Sequence, residues 1–298
     1  MNKVAAVVVT YNRIEFLKQC LDKLLSQTKS CDILLVNNAS TDDTEVWAQT
    51  QAAKYGSVFY RNTGANIGGA GGFNFGMRWA VEAGYEYIWV MDDDCLPYND
   101  ALEEILVADK ILQGQYGWLS SVVLWKDGHE CNMNRTKLRK SYYDFLEFIQ
   151  YGLVQAEQAT FVSLFVKSDV VRKVGLPIKE FFIWGDDIEF TRRISVRNSL
   201  PSFLVGKSKV CHAMSTNNGS NIATDDPERI ARYNFAFRNE NYLYRKEGLA
   251  GFAYYFAKCM YNILKIIKFS NNNTIKRIYV ILYNLILGLS FNPKIERV

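Results

Sequence analysis

The chain opens on apolar strands that each end in a polar loop, and this alternation constrains its fold more than any other feature. Val4–Thr10 is an apolar run rich in β-branched residues. Ile14–Ser26 then places Ile14, Leu17, Leu21, Leu24 and Leu25 at helical spacing, and Asp32–Val36 is apolar again. The loop Asn37–Asp43 is rich in Ser, Thr and Asp, which suits a helix N-cap, and a helix through Ala53 and a short strand near Val58–Arg61 follow. Two αβ repeats within 61 residues predict an α/β fold, with a mostly parallel central sheet flanked by helices. Ligands in such sheets sit beyond the carboxyl ends of the strands, where these polar loops emerge.

Asn66–Gly76 concentrates glycine (Gly68, Gly69, Gly71, Gly72, Gly76) before a helix expected over Gly76–Ala83. Such a cluster marks backbone that something approaches closely, and a ligand-facing turn is the expectation. It lacks the spacing of a dinucleotide-binding fingerprint directly after the first strand. Tyr87–Met91 reads as a buried strand that runs into Asp92, Asp93 and Asp94. Adjacent carboxylates repel unless a cation neutralises them, so the triplet suggests a divalent-metal site. Extended geometry would put Asp92 and Asp94 on one side and Asp93 on the other.

In the second half, Thr160–Lys167 reads as a strand. Phe181, Phe182 and Trp184 then form an aromatic wall before the acid-opened helix at Asp186, Asp187 and Glu189. Partial dehydration by that wall would let a carboxylate act as a base. Arg192 and Arg193 would steady those acids or meet a phosphate. Of the two histidines, His129 reads as structural, and His212, after the strand-like Ser208–Cys211, is a candidate third metal ligand. Tyr142, Tyr143, Phe145 and Phe148 are expected in the core rather than along a sugar groove. The six cysteines form no Cys-x-x-Cys pair, and reduced, mostly buried thiols are expected.

Four motifs occur in order: Val7–Arg13, Val36–Asp42, Asp92–Asp94 and Asp186–Glu189. Together they resemble the inverting, nucleotide-sugar-dependent family 2 glycosyltransferases with the GT-A fold, over roughly residues 3–215. Asn66–Phe73, the triple aspartate and Trp184–Asp187 look most like the bacterial galactofuranosyltransferases of that family. The resemblance implies that Thr10, Tyr11, Asn12, Arg13 and Asn37 hold a uridine, with Asn66, Gly71, Asp92 and Asp93 completing the donor site. Asn37 stands where the family usually has Asp, so it would accept a hydrogen bond without the charge. Asp92, Asp94 and His212 would bind Mn²⁺ or Mg²⁺. Asp187 would be the catalytic base, Asp186 and Glu189 would orient the base or acceptor, and Trp184 with Asp186 would meet the acceptor sugar.

The implied activity is transfer of galactofuranose from UDP-galactofuranose to a lipid-linked glycan in bacterial surface polysaccharide (O-antigen-type) synthesis. A rhamnosyltransferase using deoxythymidine diphosphate rhamnose and a non-catalytic sugar- or nucleotide-binding protein are the alternatives. The expected organisation is a nucleotide-sugar half (1–95), an acceptor half of the same domain (96–245) and C-terminal amphipathic helices (246–298). Residues 245–298 carry nine basic residues against two acids, whereas residues 1–244 carry a net charge of −3. Lys258, Asn262, Lys265 and Lys268 share one side of a helix, and a second apolar segment at Ile278–Leu289 is too short to span a bilayer and is broken by Asn284 and Gly288. Interfacial helices on an anionic membrane are the expectation, peripheral on the cytoplasmic face of the inner membrane, with no nucleic-acid partner and homo-oligomerisation left open.

Overall fold

A computed structural model describes residues 3–139 and 143–298, the side chains of 143–145 excepted. The chain runs β1 (Val4–Thr10), α1 (Ile14–Leu25), β2 (Asp32–Asn37), α2 (Thr44–Lys54), β3 (Val58–Asn62), α3 (Gly68–Glu82), β4 (Tyr87–Asp92), β5 (Cys95–Pro97) and α4 (Ala101–Ile111). It continues through β6 (Trp118–Leu124), β7 (Lys137–Leu138), β8 (Leu153–Gln158), β9 (Leu164–Lys167), α5 (Ser168–Val174), α6 (Asp186–Arg192) and β10 (Phe203–His212). Three helices close it: α7 (Tyr233–Arg245), α8 (Gly248–Phe269) and α9 (Thr274–Ser290).

The strands form one sheet ordered β3-β2-β1-β4-β9-β6-β10-β8-β7, with β5 pairing β10. The β3-β2-β1-β4 half and the β6–β10 pair are parallel. Every other pairing is antiparallel, so the sheet is mixed rather than mostly parallel. The reason is β9, which inserts between β4 and β6 in the opposite direction and ends the αβ alternation of the first 92 residues. Successive side chains of β1 and β4 feed two cores. Ala6, Val8, Trp89 and Met91 face one, and Ala5, Val7, Ile88 and Val90 the other. Burial on both faces is why these strands read as continuous apolar runs instead of alternating ones.

The glycine cluster lies inside a helix. α3 begins at Gly68, eight residues before the expected start, and its glycines let it lie against β1. A Cβ on Gly72 would come 2.5 Å from Val9 Cγ1, and one on Gly76 would come 2.4 Å from Val7 Cγ1. The close approach is therefore made by the sheet and not by a ligand. Gly68 differs: its φ of +76° is left-handed, and a Cβ there would strike the backbone of Phe182. The Ala70 N–H also donates to the Phe182 carbonyl at 3.2 Å, tying the start of α3 to the aromatic loop before α6.

Two further boundaries move. The strand expected over 160–167 begins only at Leu164, because Ser163 turns the chain with φ of +71°. α9 is unbroken: Asn284 is buried and donates to Asn234 Oδ1 at 2.8 Å, while Gly288 packs on Asn241. Both positions are where α9 lies against α7. The three C-terminal helices share a third core, including Phe237, Tyr255, Ile266 and Ile281. The chain end then returns to the body. Leu176 N–H donates to the Glu296 carbonyl at 2.8 Å, and the Glu296 carboxylate pairs with Arg78 and Lys179 at 3.0 and 2.6 Å.

All six cysteines are free and five are buried, as expected. Phe148 is also where expected, packing edge to face on Phe203 with centroids 5.8 Å apart. The side chains of Tyr142, Tyr143 and Phe145 lie outside the described residues. Among the described residues, no helix is long and apolar enough to cross a membrane.

Candidate active site

The parallel half delivers its polar loops to one edge of the sheet and fastens them to each other. Asn12 adopts φ of +53°, which its short amide side chain tolerates. Its Oδ1 accepts from Thr41 N–H at 2.6 Å, and its own N–H donates to Ser40 Oγ at 2.9 Å, so the loops after β1 and β2 are laced together. Tyr11 stays 40% exposed beside them, available to a ligand. Asn37 is fully buried and committed on both sides: its Oδ1 accepts from Ser40 N–H at 2.9 Å, and its Nδ2 donates to the Tyr60 hydroxyl at 3.0 Å. It shapes the loop instead of presenting an amide to open cleft, which departs from the role the resemblance implied. Its neighbour Asn38, which sequence reasoning passed over, bridges β2 to α3 by donating to the Gly68 carbonyl at 3.0 Å and accepting from Ile67 N–H at 3.1 Å. Asn66 is exposed, and its Oδ1 accepts from Gly68 N–H at 3.0 Å. Gly71 is buried within α3 against its own Ile67, away from any open face.

The acid triplet does not run on as an extended strand. Asp92 is the last residue of β4, and Asp93 and Asp94 form the tight turn into β5. Asp93 is buried, accepts from Thr10 Oγ1 at 2.7 Å and faces Arg13 Nη1 at 3.1 Å. Asp94 is also buried and takes Arg13 Nη2 at 2.5 Å and His212 Nε2 at 3.1 Å. Arg13 thus straddles two carboxylates while its guanidinium lies 4.7 Å from the Phe16 ring centroid. His212 is fixed from its other side by Asn134 Oδ1 at 2.7 Å, a partner no sequence signal announced.

The charges follow this geometry. Burial opposes the ionised form of Asp94, but the hydrogen bonds and charges of His212 and Arg13 prevail and lower its pKa. Burial likewise disfavours a charged His212, yet the Asp94 hydrogen bond, the Cys131 contact and the charges of Asp94 and Asp92 raise its pKa to about 10. Asp92 is the exception. Half-buried and, among the described residues, without a side-chain hydrogen bond, it has its pKa raised by burial and by the charges of Asp94 and Asp93.

Asp94 and His212 therefore meet as expected of metal ligands, with Asp92 close enough for its charge to be felt at both. No group of three His, Cys, Asp or Glu side chains is gathered to hold a metal among the described residues. The donor set nevertheless fits a hard divalent cation in kind, since it offers carboxyl oxygens, those of Asp92 without a side-chain hydrogen bond among the described residues, and an imidazole nitrogen.

The loop before α6 carries the second acid pair. Phe182, Trp184 and Gly185 all have positive φ, +63°, +65° and +87°. For the two aromatic residues this costs on the order of 1–3 kcal/mol each and needs fixing from outside. Asn239, fully buried on α7, supplies that by donating to the carbonyls of Phe181 and Trp184 at 3.0 and 2.8 Å. Sequence reasoning missed Asn239, which stands among the other polar residues of α7 (Asn234, Arg238, Glu240, Asn241) with nothing local to single it out.

Asp186 is buried, and its pKa is raised well above the carboxylate range, first by burial, then by the charges of Asp187 and Asp92. The two acid pairs are therefore within electrostatic reach of each other. Asp187 is half-buried, accepts from Ile188 N–H at 2.7 Å, and is raised by burial to about 6. Glu189 does not join them. It is fully buried and held by Arg193 at 2.9 Å and by Arg197, so it serves the packing of α6 and not the reaction. Arg193 thereby steadies one acid, whereas Arg192 turns away to a bidentate pair with Glu247, 2.7 Å for each bond. Trp184 is half-buried, with its ring edge to face against Tyr233 at 5.1 Å and Arg229 over it at 5.9 Å. Much of that ring is spoken for by the C-terminal helices.

A sheet whose parallel half presents nucleotide-type loops, strand-end acids paired with a histidine, and a second acid pair within reach define a glycosyltransferase of the GT-A kind. The chain belongs to glycosyl transferase family 2, whose family model matches residues 5–160. It is 28% identical to the galactofuranosyltransferase GlfT1 of Mycolicibacterium smegmatis over 83% of this chain and 84% of that one. It is 26% identical to GlfT1 of Mycobacterium tuberculosis (strain CDC 1551 / Oshkosh) over 83% of each. A crystal structure of GalNAc-T7 with UDP, GalNAc and Mn²⁺ superposes with a TM-score of 0.60 at 12% identity, covering 81% of this chain and half of that one, and shares the fold.

Proposed function

We propose that this glycosyltransferase moves galactofuranose from UDP-galactofuranose to a glycan on a lipid carrier, with inversion and with a divalent cation, in the synthesis of a bacterial surface polysaccharide. The observation that carries the reading is the likeness to the GlfT1 proteins over 83% of the chain, a span that takes in both acid pairs. The donor would lie against Tyr11, Asn12 and Arg13 at the carboxyl edge of β1. Asp94 and His212, with Asp92, would hold Mn²⁺ or Mg²⁺, as an Mn²⁺-containing structure of the same fold suggests. When bound, that cation supplies countercharge to the leaving diphosphate.

The rest is done by the chain itself. Asp187, with its pKa near 6, is mostly ionised at neutral pH and yet basic enough to take a proton from an acceptor hydroxyl. The hydroxyl oxygen bonds to the anomeric carbon as the bond to the diphosphate breaks, the electron pair leaves with UDP, and the carbon inverts. Asp186, kept protonated by burial and its acidic neighbours, would orient the acceptor by donating a hydrogen bond. The exposed outer faces of α8 and α9, with Leu264, Ile267 and Ile286 each more than 60% exposed beside Lys265, Lys268 and Lys276, would rest on an anionic membrane surface at its cytoplasmic side.

The test is turnover of a panel of nucleotide sugars with Mn²⁺ or Mg²⁺ and a membrane extract. Metal-dependent consumption of UDP-galactofuranose, lost in Asp94→Ala, is the expected result. Turnover of only the deoxythymidine diphosphate rhamnose donor would replace the sugar and keep the site. Binding without turnover of any donor would leave a sugar-binding protein.

A further inference from the structure

A cavity of about 250 Å³ lies between α6, the β7–β8 hairpin and the C-terminal helices, and the reading above does not use it. It is smaller than the roughly 300–1,000 Å³ of drug-sized sites, a size suited to one sugar ring and not to an extended ligand. Its wall includes Gly185 and Ile188, the two residues that flank the Asp186–Asp187 pair. The opposite wall is Glu240 and Tyr244 of α7 with Tyr254 and Lys258 of α8.

This lining has the chemistry of a carbohydrate site. Tyr244 and Tyr254 meet edge to face with centroids 5.0 Å apart, and Tyr254 remains 56% exposed, so ring surface is left for the C–H face of a sugar. Lys258 Nζ and Glu240 Oε1 pair at 2.6 Å. That pair uses one of three ammonium hydrogens and one of two carboxylate oxygens, leaving donors and an acceptor for hydroxyl groups. A neutral polyol can bridge such a pair without breaking it, whereas a phosphate would have to compete with Glu240 for Lys258.

The cavity also lies in line with the membrane-facing surface. Tyr254, Lys258, Tyr261 and Lys265 follow one another at helical spacing along a single face of α8, from the cavity to the exposed apolar stripe. We infer that this cavity is an acceptor-sugar subsite: it would hold a neutral sugar residue of the lipid-linked acceptor through Tyr254, Glu240 and Lys258, beside the first turn of α6 that carries Asp187. The inference rests on the glycosyltransferase reading but not on which donor is used.

The test uses the full-length protein and three neutral probes, the octyl glycosides of galactofuranose, rhamnose and N-acetylglucosamine. Their affinities are measured by ligand-observed NMR without donor, with UDP affinity measured in parallel. At least one glycoside should bind, and Tyr254→Ala should weaken it about tenfold, the upper end for loss of an aromatic contact. Tyr254→Phe should recover most of that loss, Glu240→Gln should weaken binding severalfold, and UDP affinity should not move. Glycoside affinities that ignore Tyr254→Ala and Glu240→Gln, or no glycoside binding at all, would overturn the inference. So would inorganic pyrophosphate binding that Lys258→Gln removes while the glycosides fail to bind. Glycoside binding with these sensitivities but no turnover of UDP-galactofuranose would refute the proposed donor and leave the subsite standing.

Discussion

The two sides of the site are built on opposite terms. On the proposed donor side, loops after β1, β2 and β4 are stitched by side-chain hydrogen bonds within the site: Asn12 to Thr41, Asn37 to Ser40, Thr10 to Asp93. On the proposed acceptor side the strained Phe182–Gly185 loop is held from outside, by Asn239 on α7 and by the start of α3. The proposed donor side is thus preorganised by its own loops, and the proposed acceptor side borrows its shape from α7, about 55 residues on, and from α3, about 110 residues back. Substitutions should reveal this asymmetry: donor-side changes act locally, whereas a change in α7 reaches the acid pair.

The largest effect is expected from the acids. Asp94→Ala, or removal of divalent cations by a chelator, should reduce transfer by two orders of magnitude or more, roughly the scale of losing one preorganised charge-stabilising group. A metal-independent rate in wild type would break the donor half of the comparison. Gly76→Val should cost about 1–3 kcal/mol in a denaturant titration, because its side chain would press on Val7 and Val36. Gly69→Ala, four residues into the same cluster and with nothing near its Cβ, should be neutral or stabilise by up to ~1 kcal/mol. Equal costs at both would remove the packing explanation for the glycines.

Asn239→Ala sharpens the acceptor half. It removes the donor to the Trp184 carbonyl and leaves the Phe181 carbonyl to the Ile183 N–H, a loss of about 1–3 kcal/mol. It should lower turnover and raise the acceptor KM while UDP affinity stays unchanged. The smallest effect is predicted for Lys265→Gln and Lys268→Gln. Each should weaken binding to vesicles containing anionic lipid by about fivefold, corresponding to ~1 kcal/mol per charge near such a surface, with no change on neutral vesicles.

The legible parts of the sequence were those where one residue type has one physical use. The continuous apolar strands predicted a sheet buried on both faces, and β1, β2 and β4 are so buried. Asp94 and His212, 118 positions apart, were expected together and meet at 3.1 Å. Misreadings arose where a residue type has several uses. Glycine can face a ligand or a neighbouring strand, and Gly72 and Gly76 face Val9 and Val7. An acid in a first helical turn can catalyse or pair inward, and Glu189 pairs inward because Arg193 and Arg197 lie one and two turns on. The direction of β9 was hidden for another reason: strand polarity is set by a tertiary insertion between β4 and β6 that no local pattern encodes. Asn38, Asn134 and Asn239 were missed because each takes its role from distant backbone and side-chain partners.

The central claim is that Asp187 takes the acceptor proton and plays no part in holding the donor. Single-turnover transfer across pH 5–8 in wild type and Asp187→Asn, with UDP affinity measured alongside, tests it most directly. The deprotonated carboxylate is the active form, so the wild-type rate should rise with pH through about 6 and level off above it. Asp187→Asn should lose about 10²–10⁴-fold in rate and that pH dependence together, with UDP affinity intact. An Asp187→Asn enzyme that transfers at the wild-type rate, or that loses UDP, would contradict the account.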